Sequence, residues 1–173
     1  MPSSKKSKKC NLCPDCTASV ITDEMKNLCF TLDIETTNTA PQRGMLLNRF
    51  EEPDSRIISI NVGEVSYYDE KKGDLVPYTK AQLKTMPGYT ADTMTFKSVW
   101  HDMETNQMTG VTIKTFTQKG GFSCWDVIKC IKKFEKRDRP KSEWFGGIDC
   151  HHVFYEGIQF NKDNKTLRIS WGS

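Results

Sequence analysis

The sequence predicts an α+β domain, a mostly antiparallel sheet with two or three helices packed on it. Several short runs alternate apolar with polar residues, the period of a half-buried strand. Stretches rich in glycine, proline and asparagine separate these runs as turns or loops. Three further segments open on helix-capping residues or carry apolar side chains at helical spacing.

A chain of 173 residues has room for one domain with a proper core and a short appendage. Its 36% hydrophobic and 27% charged residues suit a polar globular protein, and no apolar run is long enough to span a bilayer. The N-terminus is basic and lacks the apolar core of a secretory signal. Seven cysteines, an odd number, without such a signal favour a reducing compartment, with free thiols or metal ligands in place of disulfides. The expected location is therefore intracellular, cytoplasm or nucleus. The net charge of +3 is too small to imply a general affinity for nucleic acid.

Residues 1–26 read as an arm, and 27–173 as the single α+β domain. Lys5, Lys6, Lys8 and Lys9 make the arm basic, a pattern suited to phosphate contact or a nuclear address and equally to a solvated tail. Cys10, Cys13 and Cys16 follow at two-residue spacing, with Cys29 further on. A tight turn can aim such thiolates at one soft cation, and four of them would close a tetrahedral zinc site. Iron–sulfur ligation, a site shared between two chains, and unligated cysteines are the other uses of the same spacing.

Phe30–Thr37 reads Phe-Thr-Leu-Asp-Ile-Glu-Thr-Thr. On an extended backbone Asp33 and Glu35 share one face, and Leu32 and Ile34 the other. Two carboxylates two apart on a rigid strand can share hard cations such as magnesium or manganese; a solvated edge strand gives the same pattern. Asn38–Asp54 is a loop. Arg56–Val65 is the clearest strand, extended by Tyr67 and Tyr68, and Glu70–Asp74 turns the chain. Thr79 and Gln82 form a capping box that opens a short helix, stopped at Pro87-Gly88. Phe96, Val99, Trp100 and Met103 fall at helical spacing and predict a second helix over Thr95–Glu104. Val111–Thr117 is a half-buried strand. After Gly120-Gly121, Ser123 and Asp126 cap the strongest helix, whose apolar face is Cys124, Val127, Ile128, Ile131 and Phe134. Its lysines Lys129, Lys132, Lys133 and Lys136 form a wet or phosphate-facing side.

The last stretch concentrates Asp149, Cys150, His151, His152 and Glu156 among aromatic residues. As a strand it would place Asp149, His151, Val153 and Tyr155 on one face and Cys150, His152, Phe154 and Glu156 on the other. Each face then holds potential ligands or a Cys–His pair; buried, hydrogen-bonded histidines would look the same. A turn over Asn161–Lys165 and a strand over Thr166–Trp171 finish the chain.

Phe-Thr-Leu-Asp33-Ile-Glu35-Thr-Thr resembles the first motif of the DEDD 3′–5′ exonucleases, the DnaQ-like branch of the ribonuclease H-like fold. His152-Val-Phe-Tyr155-Glu156 stands where that family has Asn-x-x-Phe/Tyr-Asp, with His for Asn and Glu for Asp. The family's third motif has no counterpart. The resemblance implies two-metal phosphodiester hydrolysis, with Asp33 and Glu35 as ligands, Glu156 as a third, and His151 or His152 as a base.

Three readings follow. One is a structural or interaction protein that docks a protein partner through its basic, cysteine-rich arm. Another is a metal-dependent nuclease, or a relative that binds nucleic acid without cutting it. The last is an unrelated enzyme built on the Asp149–Glu156 cluster.

Overall fold

The computed structural model describes residues 20–36, 57–101, 105, 107–136 and 153–172. The fold is α+β, with three helices among the described residues and mostly antiparallel strand pairs.

The strands are β1 (Leu28–Cys29), β2 (Leu32–Thr36), β3 (Ile57–Val62), β4 (Ser66–Asp69), β5 (Asp74–Pro77), β6 (Pro87–Tyr89), β7 (Thr93–His101), β8 (Met108–Thr117), β9 (Phe122–Ser123), β10 (Phe154–Asn161) and β11 (Thr166–Gly172). The helices are α1 (Asp23–Lys26), α2 (Lys80–Thr85) and α3 (Cys124–Glu135). β10, β11, β7 and β8 form one sheet in that order. Only β11–β7, where Leu167 lies opposite Phe96, is parallel there.

β1 and β2 join the smaller sheets to this one. β1 pairs with β4, and β2 with β3, both antiparallel. On the other side Thr31 bridges antiparallel to Phe154. The Leu32 N–H donates to the Val153 carbonyl at 3.0 Å, and the Tyr155 N–H to the Phe30 carbonyl at 2.9 Å. The carboxylate strand therefore has antiparallel neighbours on both sides.

Burial alternates along it as the period of two demands. Leu28, Phe30 and Leu32 are buried, while Asp33 and Glu35 are exposed. Ile60, Met94, Phe96, Leu167 and Ile169 continue the inner face. α3 belongs to that layer: Phe96 lies 5.4 Å from Phe134, ring centre to ring centre. Its start follows the expected capping box, with Ser123 Oγ accepting from the Asp126 N–H and the Asp126 carboxylate from the Ser123 N–H. α2 carries the same reciprocal arrangement between Thr79 and Gln82.

The helix expected over Thr95–Glu104 is not formed over the described part of that span, Thr95–His101. Thr93–His101 is strand β7, paired along its length with β8 from Thr93–Thr117 to His101–Met108. Phe96 and Val99 satisfy helical spacing, but the observed period is two: Met94, Phe96 and Ser98 are buried. A ten-residue partner strand and a run of Thr, Phe and Val outweigh the apolar spacing, because packing decides for such residues.

β8 is also half-buried by the opposite face from the one its aliphatics suggest. Val111 and Ile113 are exposed at 41% and 59%, while Thr112, Lys114 and Phe116 take the alternate, helix-side positions. Lys114 reaches the helix directly, its Nζ donating to the Lys133 carbonyl at 3.1 Å.

Tyr67 and Tyr68 do not extend β3. The chain leaves the ladder at Gly63–Val65 and resumes as β4, which makes a hairpin with β5. At Gly63 a Cβ would lie 2.5 Å from Thr31 Oγ1, so any side chain there would have to displace the Thr31 hydroxyl.

Among the described residues packing extends back to Val20, ahead of the boundary expected at Asn27. Ile21 and Met25 are buried, the Thr22 N–H donates to the Gly88 carbonyl, and the Thr90 N–H to that of Val20.

Candidate functional site

The helices cover one face of the sheet, and the candidate site is the other. On β2 it presents Asp33 and Glu35, held outward because Leu32 and Ile34 are drawn inward. Asp33 pairs with Asn61, and Glu35 with Ser59. The Ser59 hydroxyl donates to Glu35 Oε2 at 2.8 Å, so one carboxylate already has a neutral partner. The two acids share a face, as metal binding by the pair would require.

Glu156 lies on the same face but not beside them. Thr31 pairs with Phe154 in antiparallel sense, so Asp33 and Glu156 lie on opposite sides of that bridge. They are rooted four positions apart, roughly 13 Å at about 3.3 Å per residue. The irregularity between Tyr155 and Gly157 turns the Glu156 side chain over Gly172, where a Cβ would collide with it. The structure brings Asp33 and Glu35 together and sets Glu156 apart.

Asp149, Cys150, His151 and His152 lie outside the described residues, as do Cys10, Cys13 and Cys16. Cys29 is described: it is half-buried on β1, a free thiol, and its carbonyl faces the Ser66 hydroxyl at 3.5 Å. Among the described residues, no three His, Cys, Asp or Glu side chains gather closely enough to hold a metal ion.

The other thiols belong to the core. Burial, with the nearby Glu24 charge, pushes Cys124 up to about 11. Burial likewise raises Cys130 to about 11, so both stay protonated and unreactive at neutral pH.

The open face continues across β10, β11, β7 and β8. Phe154 is 51% exposed at its middle. At its far side Val111 and Ile113 stand beside Val99 and Lys97, their partners across the β7–β8 ladder. β8 is the last strand of its sheet, so its outer backbone edge has no partner strand among the described residues.

Sequence reasoning missed this edge because it read β7 as a helix, which left β8 without its neighbour. The usable signal was β propensity with alternation over both segments, together with the absence of any Asp or Glu in Thr93–His101 and Met108–Thr117.

These features define a two-layer α+β domain with one sheet face uncovered by its described helices. No family model, curated protein or solved structure matches this chain.

Proposed function

We propose that the chain is an interaction protein, an α+β platform that docks a protein partner and uses its basic, cysteine-rich arm in capture. The open sheet face carries this reading. It presents Val111 and Ile113 on β8 and, beyond two intervening strands, Phe154 on β10 to solvent, and exposed apolar side chains rimmed by polar residues mark binding sites. The arm follows from sequence: Lys5, Lys6, Lys8 and Lys9 supply charge, and Cys10, Cys13 and Cys16, with Cys29, supply thiolates for zinc in a reducing compartment. Ile21 and Met25, buried at the C-terminal end of this segment, anchor the chain where the arm meets the domain.

The test is co-purification of partners with the full-length chain. Replacing Lys5, Lys6, Lys8 and Lys9 by Gln abolishes capture, whereas Asp33→Ala leaves it intact. Capture that survives the lysine replacements overturns the arm's role. Zinc content is measured separately, native against Cys13→Ser.

The second reading is the metal-dependent nuclease or its nucleic-acid-binding relative, favoured by Asp33 and Glu35 standing on one exposed face. They would hold magnesium or manganese with ligands from elsewhere in the chain, since Glu156 is rooted too far along the sheet. Hydrolysis of a labelled single strand that disappears in Asp33→Ala would establish it in place of the first.

A further inference from the structure

We propose that the outer edge of β8 takes up an extended acidic segment of a partner protein, which adds to the sheet as a further strand. This rests on the reading of the chain as an interaction protein and names the surface and the chemistry of what binds there.

An edge strand presents a row of backbone donors and acceptors that an extended peptide can satisfy. β8 runs ten residues, Met108–Thr117, longer than most edges that proteins keep safe by shortness. Val111 and Ile113 alternate on its open face at 41% and 59% exposure, giving an added strand apolar neighbours for every second side chain.

Charge selects the partner. β7 and β8 contain no acidic residue. On the helix side Lys114 donates to the Lys133 carbonyl, which sets it against the last turn of α3, where Lys132 and Lys133 add basic charge. Among the described residues none of these three lysines forms a salt bridge. A strand alternating apolar with acidic side chains would match both features, apolar against Val111 and Ile113 and acidic toward the lysines. A nucleic acid would use the lysines but neither the backbone edge nor the two aliphatics, so the peptide is the better fit.

The probe is a fluorescein-labelled peptide of alternating valine and glutamate, about ten residues long to match a strand, titrated into the full-length chain. Amide hydrogen exchange is read with and without it. Binding is expected to weaken with salt and to slow exchange along β8. Ile113→Asp is expected to weaken it about tenfold or more, as loss of a central contact does. Lys114→Glu repeats the test should Ile113→Asp not fold, and circular dichroism distinguishes those cases. Four results would overturn the proposal. These are binding without protection of β8, equal affinity for a valine–lysine peptide, and an oligothymidylate bound in the peptide's place. The fourth is a β8 edge already protected in the free chain, by a second copy or by its own segments. The variant with Lys5, Lys6, Lys8 and Lys9 replaced separates the two ideas: peptide binding that persists in it, while partner capture survives, overturns the arm and leaves the β8 site standing.

Discussion

The hydroxyl of Tyr155 donates to the backbone carbonyl of Met25 at 3.2 Å across 130 residues of sequence. It ties the C-terminal strand pair to the first helix, and the same ring stacks on Phe30 at 4.5 Å. The contact lies in the interior, where burial holds the phenol well above its usual range.

Tyr155→Phe keeps the stack and deletes only the hydroxyl. It should lower unfolding stability by about 1–2 kcal/mol, since the Met25 carbonyl is left buried without that donor. Tyr155→Ala should cost more, about 3–5 kcal/mol, because a cavity replaces the ring. Urea unfolding of the two variants measures the difference.

The start of α3 is the second test. Ser123→Ala removes an N-cap acceptor and should cost about 1 kcal/mol. Asp126 adds a pH dependence. Its partial burial opposes ionisation, but hydrogen bonds from Lys129, Ser123 and Gln118 and from the Ser123 backbone outweigh that and hold its carboxyl well below the usual value. A carboxyl whose value is lowered by folding stabilises the fold fully above its unfolded value and less as pH falls through its folded one. The stability advantage of the native chain over Asp126→Asn should therefore hold at neutral pH and shrink below about pH 4, near the carboxylate reference value. Paired denaturation curves at pH 7 and pH 3 read it out.

Thiol reactivity is the third. Cys124 and Cys130 are raised to about 11, and the Cys124 thiol also donates to the Pro87 carbonyl at 3.4 Å. Both should resist iodoacetamide at pH 8 until the chain is unfolded, while the half-buried Cys29 reacts first of the three. Site-by-site peptide mass mapping checks the order. Rapid labelling of Cys130 in the folded chain would contradict the packing of α3.

Asp33 and Glu35 give the fourth. Both side chains are exposed, so Asp33→Ala should change stability by no more than about 0.5 kcal/mol. A large loss would mean that the pair carries structural weight beyond the Ser59 contact. With stability unchanged, any loss of magnesium-dependent hydrolysis in this variant reports on chemistry alone.

Local chemistry was legible in the sequence. The capping boxes at Thr79 and Ser123, the apolar stripe of α3, the turn before β11 and the alternation of Leu32, Asp33, Ile34 and Glu35 depend on residues within a few positions of one another. So did the fold class, because alternating runs divided by turns can bury their apolar sides only as sheet against helix.

Tertiary structure alone decided three matters. β7 is a strand because β8 lies beside it, and Phe96 and Val99 suit helix or strand until that neighbour is present. Ile113 is exposed and Thr112 faces the helix layer because α3 lies on that side, a choice the alternation itself leaves free. Asp33 and Glu156 stand apart because Thr31 pairs with Phe154, and in antiparallel strands each step beyond the bridge separates the two carboxylates further. Side-chain period is a property of one strand; register and the covered face belong to pairs of elements, and only their packing fixes them.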